Sequence, residues 1–138
     1  MRTIDLIVIH CSATAPNANV TAADIRRWHV EKNGWADIGY HYVIRRNGEI
    51  ERGRADNVEG AHAKGHNAHS LGVCMVGGVD EKKRPDSNYT REQWRSLEGL
   101  LNRLTARWPN AAVLGHRDLP LIKKDCPCFD VFSWWGGV

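Results

Sequence analysis

Residues 4–11 read Ile4-Asp5-Leu6-Ile7-Val8-Ile9-His10-Cys11, an apolar run that predicts a β-strand buried on both faces at the centre of a covered sheet. Because side chains alternate along a strand, His10 shares one face with Leu6 and Val8. Cys11 then points to the opposite face, so His10 and Cys11 cannot readily bind the same metal ion. We therefore expect Cys11 to be a core residue and His10 to stand where the buried strand ends.

The chain continues with a helix and a hairpin. Thr21 is suited to cap a helix whose first turn is acidic, and Asn33-Gly34 is suited to end it. Two strand-like runs, 40–45 and 49–52, flank Arg46-Asn47-Gly48, and Asn-Gly between such runs is a strong hairpin signal.

The second half of the chain again alternates strand and helix. Residues 71–76 predict a second buried strand, and Thr90 with Gln93 forms a capping box that begins a long helix. Pro109 stops this helix, and a short strand follows at 111–114. The order strand, helix, hairpin, strand, helix, strand predicts a single-domain α/β fold with a mixed central β-sheet covered by helices. In such sheets functional sites gather where strands end.

Length and composition indicate one globular domain spanning residues 1–138, with 42% hydrophobic and 25% charged residues. The net charge of +3 is too small to indicate a basic tail for nucleic acid. The chain shows neither a signal peptide nor a run of transmembrane length, so we expect it in the cytoplasm of the producing cell. Its four cysteines suit a reducing compartment, where thiols stay free for metal binding.

Residues 115–130 concentrate reactive side chains in a run that two prolines keep irregular. His116 follows the last predicted strand, and Cys126 and Cys128 lie further along. His10 is the obvious partner for this segment. Two imidazoles and one thiolate match the three protein ligands of a catalytic zinc site, which keeps its fourth position open for water. The residues themselves do not decide whether Cys126 or Cys128 is the thiolate ligand.

A second irregular segment, 53–70, has no clear period and carries His62, Lys64, His66 and His69 among glycines and asparagines. We expect it to be an ordered loop that lines a cleft. Its candidate site residues are His62 and Lys64.

Five segments follow, in order along the chain, the pattern of one known family: Val8-Ile9-His10-Cys11-Ser12-Ala13-Thr14, Trp35-Ala36-Asp37-Ile38-Gly39-Tyr40-His41-Tyr42, Gly60-Ala61-His62-Ala63-Lys64-Gly65, Ser70-Leu71-Gly72-Val73 and Cys126-Pro127-Cys128-Phe129-Asp130. The chain resembles the zinc-dependent N-acetylmuramoyl-L-alanine amidases, a family shared by phage endolysins and peptidoglycan recognition proteins. The likeness extends from about Ile4 to Trp135. It implies an amidase/peptidoglycan-recognition-like fold.

The resemblance also implies a set of roles. Zn²⁺ would be held by His10, His116 and Cys126, the cysteine that precedes proline. Tyr40 and Lys124 would be catalytic without binding the metal, stabilising the oxyanion or assisting proton transfer while water activated by the zinc attacks the lactyl carbonyl of the muramic acid.

Further roles implied by the resemblance concern the catalytic amine and the substrate. The loop before the ligand cysteine is slightly longer than in similar family members, so Lys123 is an alternative to Lys124. His62 and Lys64 are expected to bind substrate. His41 is expected either to bind substrate in the cleft or to support the metal ligands from behind.

The implied activity is that of an endolysin, which hydrolyses the amide between N-acetylmuramic acid and L-alanine and lyses the host once the membrane has been permeabilised. Peptidoglycan is therefore the expected partner of a monomeric protein that neither binds nucleic acid nor inserts into membranes. The alternative is a non-catalytic peptidoglycan-binding module. Such relatives typically lose the ligand cysteine, so the presence of Cys126, Tyr40 and Lys124 favours the enzyme. One phage member of the family inhibits its phage RNA polymerase, but its N-terminal segment is longer, and we do not expect that partner here.

Overall fold

The computed structural model describes residues 2–136, which form one α/β domain. In chain order the elements are β1 (Leu6–Cys11), α1 (Ala22–Asn33), β2 (Tyr42–Ile44), β3 (Ile50–Arg52), β4 (Ser70–Met75), α2 (Arg91–Arg107), β5 (Ala112–Gly115) and α3 (Val131–Trp135). Single 3₁₀ turns lie at Asn67–His69 and His116–Asp118. Within these described residues, no helix has both the length and the apolar character needed to cross a bilayer.

The five strands form one mixed sheet in the order β3-β2-β4-β1-β5. β2 and β3 pair antiparallel, whereas β1 pairs parallel with both β4 and β5. All six residues of β1 are buried. The predicted mixed sheet, with residues 4–11 supplying its central strand, is therefore confirmed, although the strand itself begins at Leu6.

Helices and loops cover the two faces of the sheet. Ile7, Ile9 and Cys11 pack in one core cluster with Leu97 and Leu101 of α2, so this is the α2 face. The opposite face of the sheet packs against α1 and the loops, in two smaller clusters around Ile25 and around Leu6 and Val8. The alternation along β1 predicted from the sequence is confirmed, and Cys11 is a core residue.

Both long helices begin as predicted. Thr21 caps α1 in a capping box with Asp24, and Gly34 ends the helix in the left-handed conformation, with φ of 70°. Thr90 and Gln93 form the predicted capping box of α2. The Gln93 side chain is fully buried, and its Nε2 donates to carbonyl oxygens at the ends of β2 and β4, at 3.1 and 2.9 Å. The Gln93 side chain thus caps the start of α2 and also anchors the helix to the sheet.

The hairpin strands are shorter than the sequence indicates. β2 and β3 cover 42–44 and 50–52, not 40–45 and 49–52. Just before β2 the backbone departs from regular strand pairing. Gly53 N–H donates to the His41 carbonyl oxygen at 2.8 Å, and Arg54 N–H donates to the Tyr40 carbonyl oxygen at 3.0 Å. A Cβ at Gly53 would lie 2.1 Å from the Tyr40 oxygen, so glycine is required at this close approach. Tyr40 consequently stands at the end of the sheet, not within a strand.

A candidate metal centre at the end of β1

The strand register brings the two predicted histidine ligands together. Ile9 of β1 lies opposite Gly115 of β5. His10 directly follows Ile9, and His116 directly follows Gly115. Neighbouring strands lie about 4.8 Å apart. The two imidazole rings accordingly have their centroids 4.5 Å apart. A parallel pairing of the first and last strands is therefore what makes residues 106 positions apart in sequence neighbours at one edge of the sheet.

The loop after His116 folds back and delivers Cys126. Arg117 N–H donates to the Cys126 carbonyl oxygen at 2.8 Å, and the buried Tyr89 hydroxyl donates to the Pro127 carbonyl oxygen at 2.6 Å. The Cys126 Sγ accepts a hydrogen bond from the backbone N–H of Cys11 at 3.1 Å. These bonds hold the sulfur beside the end of β1.

His10, His116 and Cys126 offer one donor atom each, and all three atoms lie within 4.8 Å of one another. Ligand atoms of a tetrahedral zinc ion are about 3.5 Å apart, so small side-chain rotations would bring this set to metal-binding distance. Cys128 takes another role, since its Sγ donates to the Gly78 carbonyl oxygen at 3.1 Å. Of the two thiols that the sequence left open, the structure brings Cys126 to the histidines.

His62 supports His10 from behind. The Nδ1 of His62 lies 2.9 Å from the Nε2 of His10, and its Nε2 lies 3.2 Å from the Ser70 hydroxyl. With Nε2 of His10 engaged in this way, its Nδ1 is the nitrogen left available to a metal ion. A metal-ligating histidine commonly bonds its second nitrogen to such a partner, which fixes the tautomer and the ring orientation.

Glycines make room for this histidine. A Cβ at Gly72, in the middle of β4, would lie 2.6 Å from Cγ of His62. A Cβ at Gly60 would lie 2.8 Å from both Cδ2 of His62 and Cε1 of His41. Since real Cβ atoms do not approach other atoms so closely, only glycine at these positions lets His62 lie flat on the strand that neighbours β1.

Burial keeps the imidazoles of the cluster neutral. Desolvation lowers the pKa of His10 well below its usual value, and the charges of His62, His116 and Lys124 lower it further. The pKa of His116 is lowered by desolvation and by the Lys124 ammonium. A neutral imidazole is the form that binds metal, so the environment favours the binding-competent state.

Tyr40 and Lys124 border the three donors. The Tyr40 ring centroid lies 5.1 Å from that of His10, and desolvation, followed by the nearby Cys74, raises the pKa of the phenol well above its usual value. Lys124 is exposed, and its positive charge lowers the pKa of both His10 and His116.

The structure places two of the residues expected to bind substrate, His41 and Lys64, in different surroundings. His41 has no exposed surface: its Nδ1 accepts from Gly72 N–H at 3.0 Å and its Nε2 lies 2.8 Å from the Val58 carbonyl oxygen. It therefore does not line the cleft, and it supports β4 and the 53–70 loop instead. Lys64 is exposed on that loop beside Gly65.

Three contributions were missed from the sequence: the Cys11 N–H, the Ser70 hydroxyl and the space at Gly72. A glycine inside a strand-like run often indicates that another group lies close to the backbone there, and Gly72 is such a glycine. The roles of the Cys11 N–H and the Ser70 hydroxyl could not be predicted from the sequence, because they depend on which loops pack against the strands. Backbone donors have no residue type to reveal them.

Comparisons with known proteins point to one family. The family model described as N-acetylmuramoyl-L-alanine amidase matches residues 1–129. The endolysin of Escherichia phage T7 is 47% identical over 131 residues, which is 95% of this chain and 85% of that protein. The solved structure of the N-acetylmuramoyl-L-alanine amidase LysC from Clostridium intestinale has a TM-score of 0.79 and 31% identity, covering 94% of this chain and 79% of its own. A Drosophila PGRP-LB mutant in complex with tracheal cytotoxin also has a TM-score of 0.79, with 25% identity and coverage of 97% and 83%.

The buried His41 predicts how stability depends on pH. Desolvation lowers its pKa from 6.5 to about 4. Between these values the unfolded chain binds a proton that the folded protein does not, so the free energy of unfolding falls as the pH is lowered from 6.5 to 4. The loss from this residue is expected to reach about 3 kcal/mol. Urea unfolding of the metal-free protein at several pH values measures it.

The matched variants are His41→Gln, which removes the titrating group, and His66→Gln on the same loop. The first should make the dependence of unfolding free energy on pH less steep, because the other buried histidines still contribute, and the second should leave the slope of the parent protein. An equal slope in the parent and in His41→Gln would contradict the assignment.

Proposed function

The chain belongs to the N-acetylmuramoyl-L-alanine amidase family, and we propose that it performs this reaction with a zinc ion held by His10, His116 and Cys126. It is an amidase of the phage endolysin type, which acts on peptidoglycan. The observation that carries the proposal is the convergence of the three donor atoms within 4.8 Å of one another.

The donor set fits zinc. Two neutral imidazoles and one thiolate are typical zinc ligands, and they leave the ion with a net charge of about +1. When bound, the ion supplies a Lewis acid that acidifies water and polarises the scissile carbonyl. The free Nδ1 of His10 is the atom that would face it, because Nε2 is engaged by His62.

The chain's own residues then act on the amide. The raised pKa of Tyr40 keeps its hydroxyl protonated at neutral pH, so it can donate a hydrogen bond to the carbonyl oxygen as negative charge develops there. The Lys124 ammonium adds a positive charge at the edge of the same site. Hydrolysis breaks the bond between the lactyl carbonyl carbon and the alanine nitrogen, with the hydroxyl of water going to carbon and a proton to nitrogen.

The test of this function is mass spectrometry of digested peptidoglycan. We expect stem peptides with a free L-alanine amine and glycan with free lactyl carboxylates, and we expect both products to vanish with a zinc chelator and return with added zinc. Cys126→Ser should lose zinc and activity together. Cys128→Ser is the matched control, because a serine hydroxyl can keep the bond to the Gly78 oxygen, and it should retain both.

Two results would overturn the proposal. Binding to peptidoglycan without release of either product would mean a non-catalytic binding module. Loss of zinc in Cys128→Ser, with zinc retained in Cys126→Ser, would mean that the other sulfur is the ligand.

A second prediction separates catalysis from metal binding. Tyr40→Phe and Lys124→Ala should each lower the turnover of peptidoglycan by about 100-fold, the effect of removing one donor to an oxyanion, while zinc content stays equal to that of the parent. Lys123→Ala is the matched control, and its activity should change little. Loss of zinc in Tyr40→Phe or Lys124→Ala, or equal loss of activity in Lys123→Ala, would contradict these roles.

A third prediction concerns His62 as a positioning residue. His62→Ala should weaken zinc binding by about 10- to 100-fold, because the second nitrogen of His10 loses its partner. Competition with a fluorescent chelator measures the affinity independently of activity. Gly72→Ala should have the same effect by displacing the His62 ring, and His66→Ala should have none. Unchanged zinc affinity in His62→Ala would restrict this residue to the substrate contact expected from the sequence.

A further inference from the structure

A concave site lies on the α2 face of the sheet, away from the face that carries His10. It has a volume of about 370 Å³ and is lined by Glu98, Asn102, Trp134 and Trp135. We call these four residues the aromatic shelf. None of them takes part in the site at the end of β1.

The shelf is built where α3 packs beside α2. Glu98 and Asn102 are four residues apart on α2, in one row with Trp94, and consecutive members of such a row are about 6 Å apart along the helix. Trp134 is fixed in place because its ring packs on Trp94, at 5.3 Å between centroids. Trp135 lies next to Trp134, with centroids 5.9 Å apart and the planes tilted by 36°. The result is a concave site lined by two indoles from α3 and by one carboxylate and one amide from α2.

The polar groups of the shelf have no intramolecular role. Within residues 2–136, the Glu98 carboxylate, the Asn102 amide and the two indole N–H groups have no hydrogen-bond or ion-pair partner. The larger groove between α2 and the hairpin differs in this respect. There Arg52 and Arg107 both pair with Asp56, at 3.3 and 3.4 Å.

Aromatic exposure continues beside the shelf. Phe132 is 54% exposed and lies three residues before Trp135 on α3, so both rings are on neighbouring parts of one helix surface. An exposed phenylalanine next to two partly exposed indoles forms an apolar patch of the kind that marks an interaction site.

We propose that the aromatic shelf binds the glycan strand of peptidoglycan, a chain of β-1,4-linked N-acetylated amino sugars. The apolar face of a pyranose ring stacks on an indole, and its hydroxyl and acetamido groups pair with a carboxylate, an amide and indole N–H groups. All of these groups are present together on the shelf. Its row of side chains along α2 suits two consecutive sugar rings.

This inference rests on the proposed function for its biological sense. Amide hydrolysis releases stem peptides and leaves the glycan strand whole, so the protein can remain bound to the glycan strand throughout digestion. A shelf on the face opposite to the catalytic cleft would hold one strand while the cleft acts on another.

The direct test is a titration of the zinc-loaded full chain with chitotetraose, followed through the indole ¹H–¹⁵N signals of the tryptophans. Chitotetraose has the amino-sugar backbone and no amide to L-alanine. We expect the signals of Trp134 and Trp135 to shift, with a dissociation constant in the millimolar range typical of a shallow open site. Trp135→Ala and Asn102→Ala should each weaken binding, the former by about tenfold.

Controls keep the two proposals distinguishable. Trp108→Ala at the other end of α2 should leave the affinity unchanged, and Cys126→Ser should lose hydrolysis while still binding the sugar. On peptidoglycan sacculi, Trp135→Ala should be washed off more readily, yet cleave soluble muropeptide at the parent rate. The proposal is overturned if the tetraose shifts only signals near Tyr40 and His116, if no signal shifts, or if Trp135→Ala and Asn102→Ala both bind as well as the parent.

Discussion

The site depends above all on the parallel pairing of β1 with β5. A register in which Ile9 lies opposite Gly115 places the next residues, His10 and His116, side by side at one edge of the sheet. A shift of one residue in that pairing would turn one of the histidines to the other face. The apolar side chains of β1 prevent such a shift, because they would exchange their places in two different core clusters. The hydrophobic pattern of the strand therefore fixes the geometry of the donors as well as the fold.

The sheet also supports His10 through β4, the other neighbour of β1. β4 lies on the other side of β1, and it contributes the Ser70 hydroxyl and the open space above Gly72. His62 occupies that space and bonds to His10, so a loop residue and two strands fix one imidazole. Burial has a second effect here, since it lowers the pKa of His62 to about 3 and keeps its ring neutral beside the ligand. A neutral ring in this position can bond to the His10 nitrogen without opposing a cation.

The sequence predicted those features that depend on local pattern. The central strand, both capping boxes and the Asn-Gly hairpin follow from periodicity and turn chemistry, and each is present. The proximity of the predicted ligands His10 and His116 also follows, because His10 lies near the end of β1 and His116 comes just after β5. The choice of Cys126 needed the family resemblance, since two thiols so close in one loop differ only in how that loop docks. The burial of His41 could not be predicted, because it depends on long-range bonds to Gly72 and Val58.

The four cysteines differ in their surroundings, and this difference bears on which thiol could bind the proposed metal ion. Cys11 and Cys74 are buried in β1 and β4, and the pKa of each is raised, for Cys11 by its bond to Cys126 and by desolvation, for Cys74 by desolvation. Desolvation also raises the pKa of Cys128, to about 12. Since the thiolate is the metal-binding form, these three sulfurs resist the change that coordination requires. Cys126 Sγ, the proposed ligand, accepts a hydrogen bond from the backbone N–H of Cys11 at 3.1 Å, a bond that a thiolate accepts more strongly than a thiol. Cys11, whose own side chain lies in the core, thus helps through its backbone to hold the proposed ligand sulfur at the end of β1.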